Sequence, residues 1–456
     1  MAKFVNIDRD TPLLLPPDLR DWVPADHLVH FVLDAVQLLD VSSAPVNERG
    51  TGSEQYPPAM LLGLLVYSYA TGVFSSRQIE RATHENVAVR LLCADTHPDH
   101  DTLCTFRRNN GPLLQRAFAQ VLELAARCGV LRVGGVTVAL DGTKVLANAS
   151  KHSAVSHGHA EKMLRTLDLE IAELLAKAEQ ADSTPLQDGL SIPAEIVRRQ
   201  ERQAQLTKAK AEMEARAYAR FQAEQAEYEA KVAKRAAAET AGRPPRGPAP
   251  SPPDPAPQRK DQVNFTDAQS RIMKTKDGFQ QAYNAQAGVE TDSRLIVGQR
   301  VSQATNDKKE LLPDLAAVQA HVQPSVVLID SGFVSEAAVT AAEAQVAGLT
   351  VLAAMQREPH GRTVAQLERR DDPPAPPPDA PFAERMRHRT ATAAGRGRYK
   401  LRQQTVEPAF GVIKEVLGFR RFLLRGLSKV SLEWNLVCLA YNLTRLHRLG
   451  AELSAA

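Results

Sequence analysis

The chain has 456 residues, 43% of them hydrophobic, which is enough for a sizeable core and for two to four structural units at roughly 100–200 residues each. The 56 Lys and Arg nearly balance the 53 Asp and Glu, so the formal charge of +3 by itself selects no partner. Cys93, Cys104, Cys128 and Cys438 form no CxxC pair, which argues against a zinc site and for free thiols in a reducing cytoplasm. The start MAKFVNIDRDTP lacks a signal-peptide pattern and no apolar run reaches ~18 residues, so the expectation is a cytoplasmic protein with no membrane contact.

Residues 1–130 are expected to be all helical. Leu28, Phe31, Val32, Val36 and Leu39 recur at helical spacing, and Met60–Tyr69 is apolar enough for a buried helix. Ser75 and Gln78 have capping-box spacing at the start of a helix through about Leu92. A third helix starts near Asp101 or Thr102 and carries Arg107 and Arg108; a fourth follows Gly111-Pro112 and runs to Cys128. Helix, tight turn and helix with arginines on one face is a DNA-reading geometry, so Arg107 and Arg108 are DNA-contact candidates. His97, Asp99, His100 and Asp101 are better read as turn and capping residues than as a metal cluster.

From Val136 the texture becomes strand-like. Val-Thr-Val-Ala-Leu ends in Asp141-Gly142-Thr143; strands follow at Tyr283–Val289 and Leu295–Ser302, a helix around Lys308–Val322, a strand ending at Asp330, a helix near Ser335–Ala347 and a strand at Thr350–Ala354. The fold class expected is mixed α/β. Between the first two strands, Leu164, Leu167, Ile171 and Leu174 repeat at three- and four-residue steps, and Leu206 with Met213 and Phe221 with Tyr228 keep seven-residue steps. These predict a long antiparallel, coiled-coil-like helical hairpin, a spacer or oligomer contact. The proline-rich stretches after Arg243 and after Asp371 read as linkers without a core.

Two acids, Asp141 and Asp330, each close a short apolar strand, where a carboxylate is held rigidly at the rim of a sheet. Further on, Tyr399, Arg402, Glu407 and Lys414 share one segment, with Glu407, Phe410 and Lys414 on one helical face at i, i+3 and i+7. Thr405 is placed to cap that helix and Pro408 to sit in its first turn, with Glu407 ionised near the helix N-terminus. From Glu384 to Arg448 there are 14 Lys and Arg against 4 acids, the footprint of a polyanion binder. Within it Phe419-Arg420-Arg421-Phe422 interleaves aromatics with arginines. Leu432, Leu436, Leu439, Leu443 and Leu446 read as a closing amphipathic helix.

The blocks PLLLPPDLRDWVPADHLVHFV, YPPAMLLGLLVYSYATGVFSSRQIERA, VALDGTKVLANASKH, NFTDAQSRIMKTKDGFQQAYNAQAGV, VVLIDSGF and TVEPAFGVIKEVLGFRRFLLRGL together resemble the DDE transposases of bacterial insertion sequences. The resemblance is to the group whose last block has the form Tyr, Arg, Glu, Lys, and most to the insertion sequence eleven-eighty-two branch. It implies an RNase H-like catalytic domain in which Asp141, Asp330 and Glu407 are both catalytic and metal-binding, holding two Mg²⁺ (or Mn²⁺) ions. Tyr399, Arg402 and Lys414 match positions implied to contact DNA, with Arg420 and Arg421 beside them. One spacing departs from the signature: four residues separate Arg402 from Glu407 instead of three. In the middle block, Asp267, Ser270, Arg271 and Lys274 match a stretch implied to lie near DNA.

The layout implied is a helical N-terminal domain over 1–130 for DNA binding, the first part of the RNase H-like domain at 131–150, the hairpin insertion at 151–242 and a proline-rich linker at 243–262. The catalytic domain resumes at 263–370, a second linker covers 371–382, and a basic C-terminal part with the Glu407 helix covers 383–456. The expected partners are double-stranded DNA, as terminal inverted repeats and as target, and further copies of the chain in a homo-oligomer. An inactive DNA-binding descendant, or a metal-dependent nuclease without strand transfer, is the alternative. Lys144, three residues after Asp141, is placed equally well to touch phosphate or to be a surface strand lysine, and His152, His157 and His159 are better read as a solvated loop than as a second metal site.

Overall fold

The computed structural model describes residues 18–46, 55–181, 191–242, 247–355, 372–377 and 379–453. The opening PLLLPP, the break at 182–190, the start of the first proline-rich stretch at 243–246 and residues 356–371 lie outside the described residues. The chain forms two compact units, residues 1–146 with 283–456, and residues 147–282.

The first unit opens with helices α1 Leu28–Gln37, α2 Pro58–Ala70, α3 Ser76–Glu85, α4 Val87–Leu92, α5 His100–Asn109 and α6 Gly111–Arg127. Helix α2 is apolar on every side and is buried from Leu61 to Ala70, with Pro58 where a first-turn proline costs no hydrogen bond. The capping box at Ser75 does not form, since its side chain makes no cap bond, and the helix expected to reach Leu92 breaks at Asn86. Asn86 caps α4 by accepting from Val89 N–H at 3.1 Å. Asp99 caps α5 from Thr102 N–H at 2.6 Å, His100 Nδ1 lies 2.8 Å from Glu80, and His97 pairs with Thr83, so that cluster does local structural work.

A mixed sheet follows. Strand β1 Gly134–Leu146 continues past Asp141, where the sequence suggested an end. Two short strands of the second unit come next in the chain, β2 Ala154–Ser156 and β3 Gln262–Asn264, then β4 Arg271–Thr275; β5 is Gly278–Glu290, β6 Ile296–Ser302, β7 Gln323–Ile329 and β8 Thr350–Ala353. In the first unit the order runs β6, β5, β1, β7, β8. The β5–β6 pair is antiparallel, while β1–β7 and β7–β8 are parallel. Residues 283–290 of β5 are buried throughout, as expected of a central strand. Helix α9 Leu311–Gln319 lies close on the sheet because Gly288 and Gly298 carry no side chain; a Cβ on either would stand 2.4 or 2.7 Å from Val318 Cγ2. Helix α10 Glu336–Gln345 links β7 to β8.

The chain closes with α11 Phe382–Ala391, α12 Ala393–Gly411 and α13 Leu427–Arg448. Helix α13 is not an amphipathic cover. It is buried on nearly every side from Glu433 to Leu443 and packs on α2, α6 and β6. Its polar side chains are matched inside: Trp434 Nε1 donates to Gln286 O at 3.0 Å, Asn435 Nδ2 to Leu114 O at 2.7 Å, and the Asn442 carboxamide takes both main-chain groups of Ile296 at 2.8 Å.

The second unit is an antiparallel helical hairpin with small strands. Helix α7 His157–Ala181 has 25 residues and α8 Ile192–Thr240 has 49. Glu170 pairs with Arg199 and Glu161 with Lys210, which fixes the opposed directions. Its core is Val155, Ala160, Leu167, Leu206, Ala209, Met213 and Val263. The seven-residue step from Leu206 to Met213 therefore marks the core, whereas beyond Ala217 no residue of α8 is buried. The first proline-rich segment is fastened along α8: Arg235 donates to Gly247 O and Pro248 O at 2.9 and 3.0 Å, and Arg220 pairs with Asp261 at 3.1 Å. Strands β2 and β3 pair antiparallel, as do β4 and the first residues of β5.

Candidate active site

The parallel pairing of β1 with β7 sets Val138 opposite Val327 and Ala139 opposite Leu328. Counting two residues further along both strands brings Asp141 level with Asp330, each just past a buried apolar run. Main-chain amides hold both carboxylates: Gly142 N–H donates to Asp141 Oδ1 at 2.8 Å and Gly332 N–H to Asp330 Oδ1 at 2.6 Å.

Glu407 arrives on α12. That helix begins thirteen residues earlier than a cap at Thr405 would give, capped by Thr392 Oγ1 accepting from Gly395 N–H at 3.1 Å. Glu407 is therefore an interior residue, Thr405 bonds back to Leu401 O instead of capping, and Pro408 lies inside the helix. The reason is that AAGRGRYKLRQQ already forms helix from a good cap, and the proline is accommodated just before the ladder loosens into a π turn at Val412–Val416.

Arg402, one turn earlier on α12, lies among all three acids. Its guanidinium is 3.4 Å from Asp141 Oδ2, 3.7 Å from Asp330 Oδ2 and 3.2 Å from Glu407 Oε1. The Arg402 side chain is only 11% exposed, against 54% for Glu407, so the cation is at the back and Glu407 at the mouth. Burial pushes the Asp141 carboxyl up to about 6, and the facing charges of Asp330 and Asp307 add to this while Arg402 opposes it. Among the described residues no three His, Cys, Asp or Glu side chains stand close enough to share one ion; the acids surround a guanidinium instead.

Tyr399 donates its hydroxyl to Ile329 O at 3.0 Å, tying α12 to the residue before Asp330. Burial raises its pKa, so the phenol stays protonated as that bond requires. Lys414 donates to Lys144 O at 2.7 Å and ties the π turn to β1. Arg420 and Arg421, between the buried Phe419 and Phe422, are exposed, so the arginines face solvent while the rings pack edge to face at 5.4 Å.

Two expected DNA contacts part company. Arg108 is exposed, but Arg107 is buried and donates to the Tyr69 hydroxyl at 2.8 Å, which donates in turn to Glu433 Oε1 at 3.2 Å. Glu433 Oε2 also accepts from Leu423 and Leu424 N–H, each at 2.9 Å. Arg107 is thus the counter-charge of a buried carboxylate in the core, not a surface contact. In the second unit Asp267 and Ser270 are likewise buried, with Ser270 bonded to Gln281 at 2.7 Å, while Lys274 is exposed.

Sequence reasoning missed a second polar layer beside Asp141. Asp307 accepts from Asn284 Nδ2 at 2.6 Å and Gln286 Nε2 at 2.7 Å, and Lys144 Nζ lies 3.8 Å away. Gly142 makes room for it, since a Cβ there would come within 2.5 Å of Gln286 Nε2. The signal was present: Asn284 and Gln286 are a period-two polar pair in the otherwise apolar stretch from Ala282 to Val289.

Residues 379–447, which carry Tyr399, Arg402, Glu407 and Lys414, match the family model described as Transposase DDE domain. Residues 17–109, from the N-terminal turn through α5, match Transposase domain (DUF772). Both matches support an insertion-sequence DDE-type transposase. That class cuts and transfers DNA, and DDE domains generally work with divalent metals. No curated protein and no solved structure matches the chain. Among the described residues, no helix is long and apolar enough to cross a membrane.

Proposed function

We propose that the protein is a DDE transposase of the Tyr-Arg-Glu-Lys group, nearest the insertion sequence eleven-eighty-two branch, which cuts DNA at the ends of its element and joins them to target DNA. The observation that carries this reading is the meeting of Asp141, Asp330 and Glu407, from three separate elements, around one guanidinium at 3.2–3.7 Å. Three carboxylates gathered around a cation are a hard-oxygen donor set that suits Mg²⁺ or Mn²⁺ once Arg402 withdraws. Two ions bound there supply activation of the attacking water or 3′-hydroxyl and stabilisation of the leaving oxygen. The chain's own part is positioning. Gly142 and Gly332 amides fix the two aspartates, Tyr399 ties the end of β7 to α12, and Glu407 closes the mouth from the helix. Arg402 when withdrawn, with Lys414, Arg420, Arg421 and Arg108, supplies cations for the phosphate backbone.

We read the sheet as RNase H-like, interrupted after β1 by residues 147–282 and flanked by the helical N-terminal domain. The antiparallel β5–β6 pair on one side of β1 and the parallel β7 and β8 on the other support that reading. Two element ends must be brought together, so the working form is an oligomer on DNA.

The test is incubation of the purified protein with DNA carrying the element ends and Mg²⁺ or Mn²⁺, comparing wild type with Asp141→Asn, Asp330→Asn and Glu407→Gln. Cleavage at the boundary with joined products, lost by at least about a thousandfold in each variant, is the expected result. Cutting without joining would make the protein a nuclease. Specific binding without cutting would make it an inactive descendant, and cutting that persists in the variants would remove the three acids from the chemistry.

A further inference from the structure

The hairpin unit contains a cavity of about 360 Å³, near the small end of the roughly 300–1,000 Å³ typical of ligand sites. It is built with a regular division of labour. Helix α7 contributes His159 and Met163, and α8 contributes Arg202 and Leu206, each pair at i and i+4 so that both residues face the same way. Met163 and the buried Leu206 form the floor. His159 and Arg202, joined by His152 from the turn before β2, form the rim. Phe265, just after β3, closes one side and is held by its N–H to Ser153 O at 2.9 Å.

The charge pattern is selective. On α8 the neighbouring Arg198 and Arg199 pair with Glu195, and Arg199 also with Glu170. Among the described residues Arg202 has no carboxylate partner; its guanidinium stands over the Phe265 ring, 5.3 Å from the centroid. Phe265 is 36% exposed despite its size. No acid is found among the residues lining the cavity. An aromatic platform beside a free guanidinium and two imidazoles, with no negative charge to repel an anion, fits a flat heterocycle that carries phosphate.

We propose that this cavity binds one nucleotide of single-stranded DNA, the base stacking on Phe265 and the Arg202 plane and its phosphate pairing with Arg202, His152 and His159. The proposal rests on the transposase reading only for where the strand comes from, namely an end opened during cutting or joining.

The test uses the full chain and an eight-residue oligothymidylate carrying one 2-aminopurine, whose fluorescence is quenched on stacking. Wild type should bind and quench. Arg202→Ala and Phe265→Leu should each weaken binding about tenfold and remove the quenching, while Phe265→Trp retains both. Circular dichroism melting confirms that the variants are folded. If Arg202→Ala weakens binding but Phe265→Leu does not and the quenching persists, the cavity is a plain phosphate surface and the proposal is overturned. Unchanged affinity in both variants, or no oligonucleotide binding by wild type, overturns it too. Cleavage of element-end DNA is scored separately. A wild type that cuts while the variants bind normally fails this proposal alone, and one that quenches through the cavity but never cuts fails the transposase reading alone.

Discussion

The two units solve the problem of burying polar residues in opposite ways. In the first, charged and amide groups lie deep in the core and are matched by partners far off in sequence, such as Trp434 with Gln286 and Arg402 with Asp141. In the hairpin unit the apolar core is short, and many charges stay at the surface in i,i+3, i,i+4 or cross-hairpin pairs such as Arg199 with Glu195 and Glu170. The first unit is stabilised by matched burial and fails when one partner is removed. The second is stabilised by a few apolar residues and tolerates change almost everywhere else.

That contrast can be broken by substitution. Arg107→Ala should cost roughly 3–5 kcal/mol in urea unfolding, because it leaves Glu433 without its counter-charge. If Arg107 served DNA instead, the change would lower affinity and leave unfolding untouched. Leu206→Ala should cost the hairpin unit roughly 2–5 kcal/mol, whereas Tyr218→Ala, on the exposed far part of α8, should stay within about 0.5 kcal/mol. Equal losses from the two would mean that the far part of α8 is packed in solution. Arg402→Gln should lower metal-free stability by roughly 1–3 kcal/mol, less than a fully buried pair, because Asp330 and Glu407 are 40% and 54% exposed. Added Mg²⁺ should raise the melting temperature of this variant more than that of wild type.

The smallest expected effect is on pH. A carboxyl titrating at about 6 is protonated below that value, and a proton on Asp141 competes with a cation. Calorimetric Mg²⁺ or Mn²⁺ affinity should therefore be steady above about pH 7 and fall by about tenfold per pH unit below 6. A flat profile from pH 5 to 8 would show that Asp141 does not hold the ion.

What could be read from the sequence follows the same division. The order of strands and helices from β5 to β8 was legible because each carries its own periodicity, and so was the Leu206–Met213 step of the hairpin. The acids were legible as positions but not as an assembly: nothing local reports that Arg402 would sit between Asp141 and Glu407, 261 and 5 residues away. The start of α12 was misread because Pro408 is a strong local signal, and the Thr392 cap that overrode it lies four turns upstream. Arg107 was misread because an arginine at a helix end looks the same in sequence whether its partner is a phosphate or a buried glutamate.

Asn442 has a consequence for the edge of the sheet. Its carboxamide uses one N–H and its oxygen as a peptide group would, donating to Ile296 O and accepting from Ile296 N–H on the outermost strand β6, in the place of a next strand. One side chain thus plugs the place where a neighbouring chain would otherwise zip on by backbone pairing. Backbone pairing with a further strand is thus closed off at that point of β6, and any contact along this edge has to be made by side chains, which can be made specific in a way that a bare backbone cannot.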